Sequence, residues 1–161
     1  MSGWAAHELG HCIAYVARHP DLVPWCDVYQ DGDAAQVQPR VLCDPSELGL
    51  TPLVNFAAGS IGERVHAGEL EAIERLMATN TDWLRAVFDT PHFSEHDWQC
   101  FRTIIAGTPA LPVEEFAQEL VIAERLIERY LPYVDVDAFQ TKLERDGRFR
   151  FGVHNLKRTL H

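Results

Sequence analysis

Near the start of the chain, His7-Glu8-Leu9-Gly10-His11 lies in a small and apolar stretch, with Trp4-Ala5-Ala6 before it and Cys12-Ile13-Ala14-Tyr15-Val16 after it. Such a stretch is predicted to form a helix buried on most sides, where two imidazoles and a carboxylate are costly without a partner. The fold must therefore supply one. Residues four apart share a helix face, so His7 and His11 aim at one point, while Glu8 projects about 100° round the axis. Zinc meets the need, since it accepts neutral imidazole nitrogen and its catalytic sites use three protein ligands, leaving a fourth position for water. H-E-x-x-H is the zinc-hydrolase order, with Glu8 as general base. Ser2 is placed to cap this helix and Pro20 to stop it.

At 161 residues the chain suits one domain with a sizeable core. Its net charge of -10 argues against a nucleic-acid surface, which needs clustered Lys and Arg. Cys12, Cys26, Cys43 and Cys100 include no C-x-x-C pair, so reduced, mostly buried thiols are expected. No apolar run approaches the ~20 residues of a membrane span, and no secretion signal precedes the first helix. A cytoplasmic location is the corresponding expectation.

After Pro20 the pattern changes. Residues 23–42 read as a small hairpin, Cys26 to Gln30 and Ala34 to Gln38 about an Asp31-Gly32 turn. Such a hairpin either covers the apolar face of the first helix or offers a strand edge to an extended peptide. Thr51-Pro52 opens a helix that ends near Gly68, and its small residues Ala57, Ala58, Gly59, Ser60 and Gly62 are expected to pack against the zinc helix. A charged helix follows from Glu69 to Met77. Asp82 then stands where a further helix begins, a place for a cap or a ligand. Ser94, three residues before Asp97, has capping-box spacing and opens a helix to Ala106. Val113 to Leu131 is amphipathic, and Asp135 or Asp137 opens a last helix to Gly147. Residues 148–161 are a basic tail, either folded on the acidic body or solvated.

The motifs occur in a telling order. Ala6-His7-Glu8-Leu9-Gly10-His11, Val28-Tyr29-Gln30-Asp31-Gly32, Ala57-Ala58-Gly59-Ser60-Ile61-Gly62-Glu63 and Thr81-Asp82-Trp83 together resemble the peptidase domain of the membrane-anchored AAA+ proteases of the FtsH family. The resemblance covers residues 4 to about 90, and only loosely the final helices. It implies a mainly α (α+β) fold over residues 1–161, a helical zinc-metallopeptidase domain with a hairpin or small sheet beside the H-E-x-x-H helix. It also implies that Asp82 is the third metal ligand, in the segment 51–106, with Asp97 and His96 as the competing positions. Glu63 matches the family's acidic residue beside the zinc helix, either orienting an imidazole or simply a surface charge. Gly62 stands where the family commonly has alanine, and Thr81 where it has serine. No G-x-x-x-x-G-K-[ST] phosphate loop is present, so ATP hydrolysis is not expected.

The expectation is thus a zinc-dependent peptidase, with metal on His7, His11 and Asp82, base Glu8, and peptides or unstructured proteins as substrates. No separate ATPase partner is indicated. Two alternatives stand beside it. One is a regulatory H-E-L-G-H protease of the phage-repressor-cleaving type, which usually has a glutamate ligand within a few turns after the box; no glutamate stands at that place here, and Glu47 is the position to compare with Asp82. The other is a zinc-stabilised adaptor without catalysis.

Overall fold

Two helices make the centre of the molecule. α1 (Ser2–Val16) and α2 (Thr51–Ala67) pack side by side in this computed structural model, which describes residues 2–32, 34–68, 71–92, 94–108 and 110–157. Their backbones meet at Gly10 and Gly62: a Cβ on Gly62 would fall on the Ala6 carbonyl oxygen, and one on Gly10 on the Ala58 carbonyl oxygen. The small residues expected to admit another backbone therefore do so, and α1 is that backbone. Leu9, Cys12 and Ile13 from α1 and Ala57, Ala58 and Ile61 from α2 are buried around the seam.

The ends of these helices are held by polar side chains. Ala5 N–H, among the donors that a helix start leaves unpaired, donates to Gln140 Oε1 at 2.9 Å, from α7 (Val136–Asp146). Thr51 opens α2 as expected but does not cap it, since the cap position is Leu50; Thr51 is buried in the first turn with its hydroxyl 2.7 Å from His19 Nε2. The side chain of Ser2, residues 69 and 70 of the expected charged helix, and the tail beyond Lys157 lie outside the described residues.

Three strands complete the layer beside α1. β1 (Trp25–Asp31) and β2 (Ala34–Pro39) form the expected hairpin, with Gly32 at φ 62 in the turn. β3 (Arg148–Gly152) comes from the basic tail and pairs antiparallel with the other side of β1, giving the order β2-β1-β3. The alternation Arg148-Phe149-Arg150-Phe151 has the strand period of two. Phe149 and Phe151 are buried, facing Val28 and Cys26 in register, while Arg148 and Arg150 are exposed. β2 thus keeps an edge with no strand partner among the described residues.

The remaining helices are α3 (Ile73–Thr79), α4 (Trp83–Phe88), α5 (Glu95–Ala106) and α6 (Val113–Tyr130). Buried Glu124 of α6 accepts the Ile73 N–H at 3.0 Å and so caps α3. Ser94 caps α5 as expected, accepting the Asp97 N–H at 3.1 Å. Phe88, Trp98, Phe101 and Phe116 stack in series with ring centroids 5.0 to 6.0 Å apart, tying α4, α5 and α6 together. That aromatic chain sets the position of the first turn of α5. The fold is mainly helical with one small antiparallel sheet, as expected. The four cysteines are free, with Cys12 and Cys26 buried. Among the described residues no helix is long and apolar enough to cross a membrane.

The seam makes a direct prediction. At Gly62 an added Cβ meets backbone rather than a movable side chain. Gly62→Ala is expected to lower stability by about 1–3 kcal/mol in urea unfolding. An unchanged midpoint would show that the helices are not in backbone contact there.

Candidate metal centre

His7 and His11 are both buried, and their Nε2 atoms lie 3.2 Å apart. Asp97, in the first turn of α5, brings Oδ2 to 3.5 Å from His7 Nε2 and 3.3 Å from His11 Nε2. Two ligands of a tetrahedral ion bonded at about 2.0–2.1 Å stand about 3.3–3.4 Å apart. The three separations therefore match one face of such a coordination shell. Among the described residues, this is the group of His, Cys, Asp or Glu donors that converges closely enough to hold a metal.

Protonation makes the same point. His7 Nδ1 lies 2.7 Å from Glu63 Oε2, and His11 Nδ1 lies 2.7 Å from the Asn55 carbonyl oxygen. Both partners accept, so each Nδ1 carries a hydrogen, and the neutral ring then presents a bare lone pair at Nε2. Two lone pairs and a carboxylate oxygen that face one another repel unless a cation stands between them. In the metal-free protein a proton takes that part. Burial opposes charge on His7, yet hydrogen bonds to Asp97 and Glu63 outweigh it and push its pKa up to about 10. Asp97 shows the reciprocal effect: burial opposes ionisation, but the two histidines hold its carboxyl well below the usual range. The donor set of two imidazoles and a carboxylate fits a divalent cation.

The supporting shell comes mainly from α2. Glu63 is buried; Oε2 takes the His7 N–H and the Thr90 hydroxyl, the latter at 2.6 Å, while Oε1 accepts the His92 N–H at 2.8 Å. It thus orients an imidazole, the first of its two sequence readings, and these bonds hold its pKa low against its burial. Asn55 returns the bond from His11 by donating Nδ2–H to the His11 carbonyl at 2.8 Å. Gly59 faces both rings, where a Cβ would collide with His7 and His11 Nε2. Glu8 is buried beside them, and that burial pushes its pKa up against the pull of His11 and His7.

The expected ligand Asp82 does not join this group. It is exposed ahead of α4, with its N–H bonded to Asn80 Oδ1 at 2.9 Å and no capping bond from its side chain. The path of the chain explains the difference. Ser60 of α2 hydrogen-bonds the Phe88 carbonyl, so the C-terminal end of α4 lies at the site, and Asp82 stands six residues, about 9 Å, further back along the axis. The chain then passes Glu63 at Thr90 and His92 before α5 delivers Asp97. The other competitor, His96, is exposed at the rim with Nε2 3.6 Å from Cys100 Sγ. Glu47 spends its carboxylate on the Asp44 N–H at 3.1 Å in a capping box.

The roles of Asn55, Thr90 and His92 escaped the sequence reading, which took Gly59 only as a packing residue. A helical Asn inside an apolar run was the one available signal, because Asn is unfavourable there unless its amide is used.

The donors open into a cleft of about 740 Å³. One wall is the edge strand β2, with Ala34 to Val37 and Pro39; Pro52 and Phe56 of α2, Tyr15 of α1, and His92, Ser94 and His96 line the rest. Comparison of the chain with protein-family models, curated proteins and solved structures found no match.

The proton held in the metal-free site has a measurable consequence. His7's pKa lies above the ordinary 6.5, so its ionised form stabilises the metal-free fold fully below pH 6.5, and that contribution is lost as pH rises through about 10. Asp97 has the opposite sign, with its contribution present above the ordinary carboxylate range and lost in acid. At pH 7 an entering ion must displace the histidine proton. Zinc titration in buffers of different ionisation enthalpy is expected to show release of about one proton or more per site. Binding without proton release would contradict this protonation state.

Proposed function

We propose that this protein is a zinc-dependent metallopeptidase that hydrolyses peptide bonds of peptides or unstructured protein segments, without ATP hydrolysis of its own. The observation that carries this reading is the placement of Glu8: a buried carboxylate next to three converging donors, at the foot of an open cleft. A structural zinc site closes its shell with four protein ligands and has no use for a base there, whereas a catalytic one keeps a position open. This distinction favours the enzyme over the adaptor reading. The phage-repressor type lacks its glutamate, since Glu47 is engaged elsewhere.

When bound, the ion supplies a Lewis acid and eases deprotonation of water. The chain's own residues do the rest. Glu8 accepts the proton of the attacking water and returns it to the leaving amine, and its raised pKa suits a group that must both take and give. Glu63 and Asn55 hold the imidazoles in one tautomer and orientation. The β2 edge offers main-chain hydrogen bonds to an extended segment, so recognition falls on the backbone and suits unfolded substrates. The FtsH-type resemblance supports the same chemistry, with Asp97 in place of Asp82 as the aspartate ligand.

Glu8→Gln removes the base and leaves the three donors. It is expected to retain zinc at wild-type stoichiometry while hydrolysis of casein or a quenched fluorogenic peptide falls by at least ~10²-fold. A Glu8→Gln protein as active as wild type would overturn the assigned role.

A further inference from the structure

We infer that His96 and Cys100 form a second, weaker divalent-cation site at the mouth of the cleft, separate from the His7, His11 and Asp97 group. The two residues are four apart on α5, so they share one face of that helix, as His7 and His11 do on α1. Cys100 Sγ lies 3.6 Å from His96 Nε2 and 3.9 Å from Nδ1. Zinc bonds sulfur at about 2.3 Å and imidazole nitrogen at about 2.0–2.1 Å, which sets two such tetrahedral ligands about 3.5–3.6 Å apart. The pair is therefore spaced for one ion. A thiolate and an imidazole select the thiophilic divalent cations, zinc, cadmium and cobalt, over magnesium or calcium.

The surroundings leave both donors available. Glu95 and Gln99 bond each other at 2.7 Å, and the Thr103 hydroxyl goes to the Gln99 carbonyl. Among the described residues, His96 and Cys100 hydrogen-bond only to each other. The turn that carries them is fixed by the Ser94 cap and by the Trp98 and Phe101 rings, so the pair is held in place before any ion arrives. His96 is exposed and lines the cleft, and Cys100 is half-buried one turn further on. An ion here has two protein donors and room for water, whereas the central group offers three, with Glu63 and Asn55 behind its imidazoles. Lacking that support, the pair binds more weakly by on the order of 10²-fold and fills second. An ion on His96 stands at the entrance to the cleft, so zinc beyond one equivalent hinders substrate entry. That last step rests on the metallopeptidase reading; the site itself does not.

The test is a cobalt titration of the metal-free protein. Cobalt bound to a thiolate gives a near-ultraviolet charge-transfer band that imidazole and carboxylate ligands do not give. The first equivalent, taken by the central group, is expected to raise visible bands alone, and the second to raise the near-ultraviolet band. Cys100→Ser is expected to abolish that band, His96→Ala to lose most of it at the same cobalt concentration, and Cys43→Ser to leave it unchanged. A missing band, one that survives Cys100→Ser, or one at full strength in His96→Ala would overturn the site. Zinc beyond one equivalent is expected to slow hydrolysis of a fluorogenic peptide by wild type and not by Cys100→Ser. Equal slowing in both would overturn the effect on substrate entry. A wild type that hydrolyses nothing would remove the peptidase reading and that effect with it, while the cobalt band decides the site by itself.

Discussion

The close approach of α1 and α2 is the constraint from which the rest follows. Gly10 and Gly62 let the backbones touch, and only then does α2 come near enough for Glu63 and Asn55 to reach the two imidazoles. Gly59 leaves room for both Nε2 atoms where any Cβ would displace them. A seam of small residues is usually read as packing alone. Here it also sets the reach of the supporting hydrogen bonds, so stability and site geometry rest on the same contacts.

The second constraint is electrostatic. His7, His11, Glu8 and Glu63 are all buried, a concentration of ionisable groups that an apolar core tolerates only with mutual compensation. Hydrogen bonds at Nδ1 fix the tautomers and leave two lone pairs and the Asp97 carboxylate facing one another. The arrangement is satisfied by a cation. Protons fill the need in the metal-free protein, which is why His7 and Asp97 shift in opposite directions. α5 completes the set because its first turn is clamped twice, by the Ser94 cap and by Trp98 and Phe101 in the aromatic chain.

Much of this was legible in the residues. His7 and His11 share a helix face by spacing alone, Glu63 fell in a motif beside them, and the helix limits at Gly68, Ser94 and Gly147 followed from capping chemistry. The third ligand was not. Asp82 and Asp97 each precede a tryptophan near a helix start, and local sequence does not tell which helix end meets α1. That depends on α4 approaching through Phe88, a tertiary fact. β3 was missed for another reason: Arg148-Phe149-Arg150-Phe151 carries a plain period of two, but its charge drew attention before its alternation. Thr51 showed the converse, where a residue suited to capping was used inside the helix to hold His19.

We propose that His7, His11 and Asp97 together hold one metal ion. Elemental analysis of purified wild type, Asp97→Ala and Asp82→Ala tests it most directly. One zinc per chain is expected in the wild type and in Asp82→Ala, and loss of most of it in Asp97→Ala. Full zinc retention in Asp97→Ala, with loss in Asp82→Ala, would contradict it.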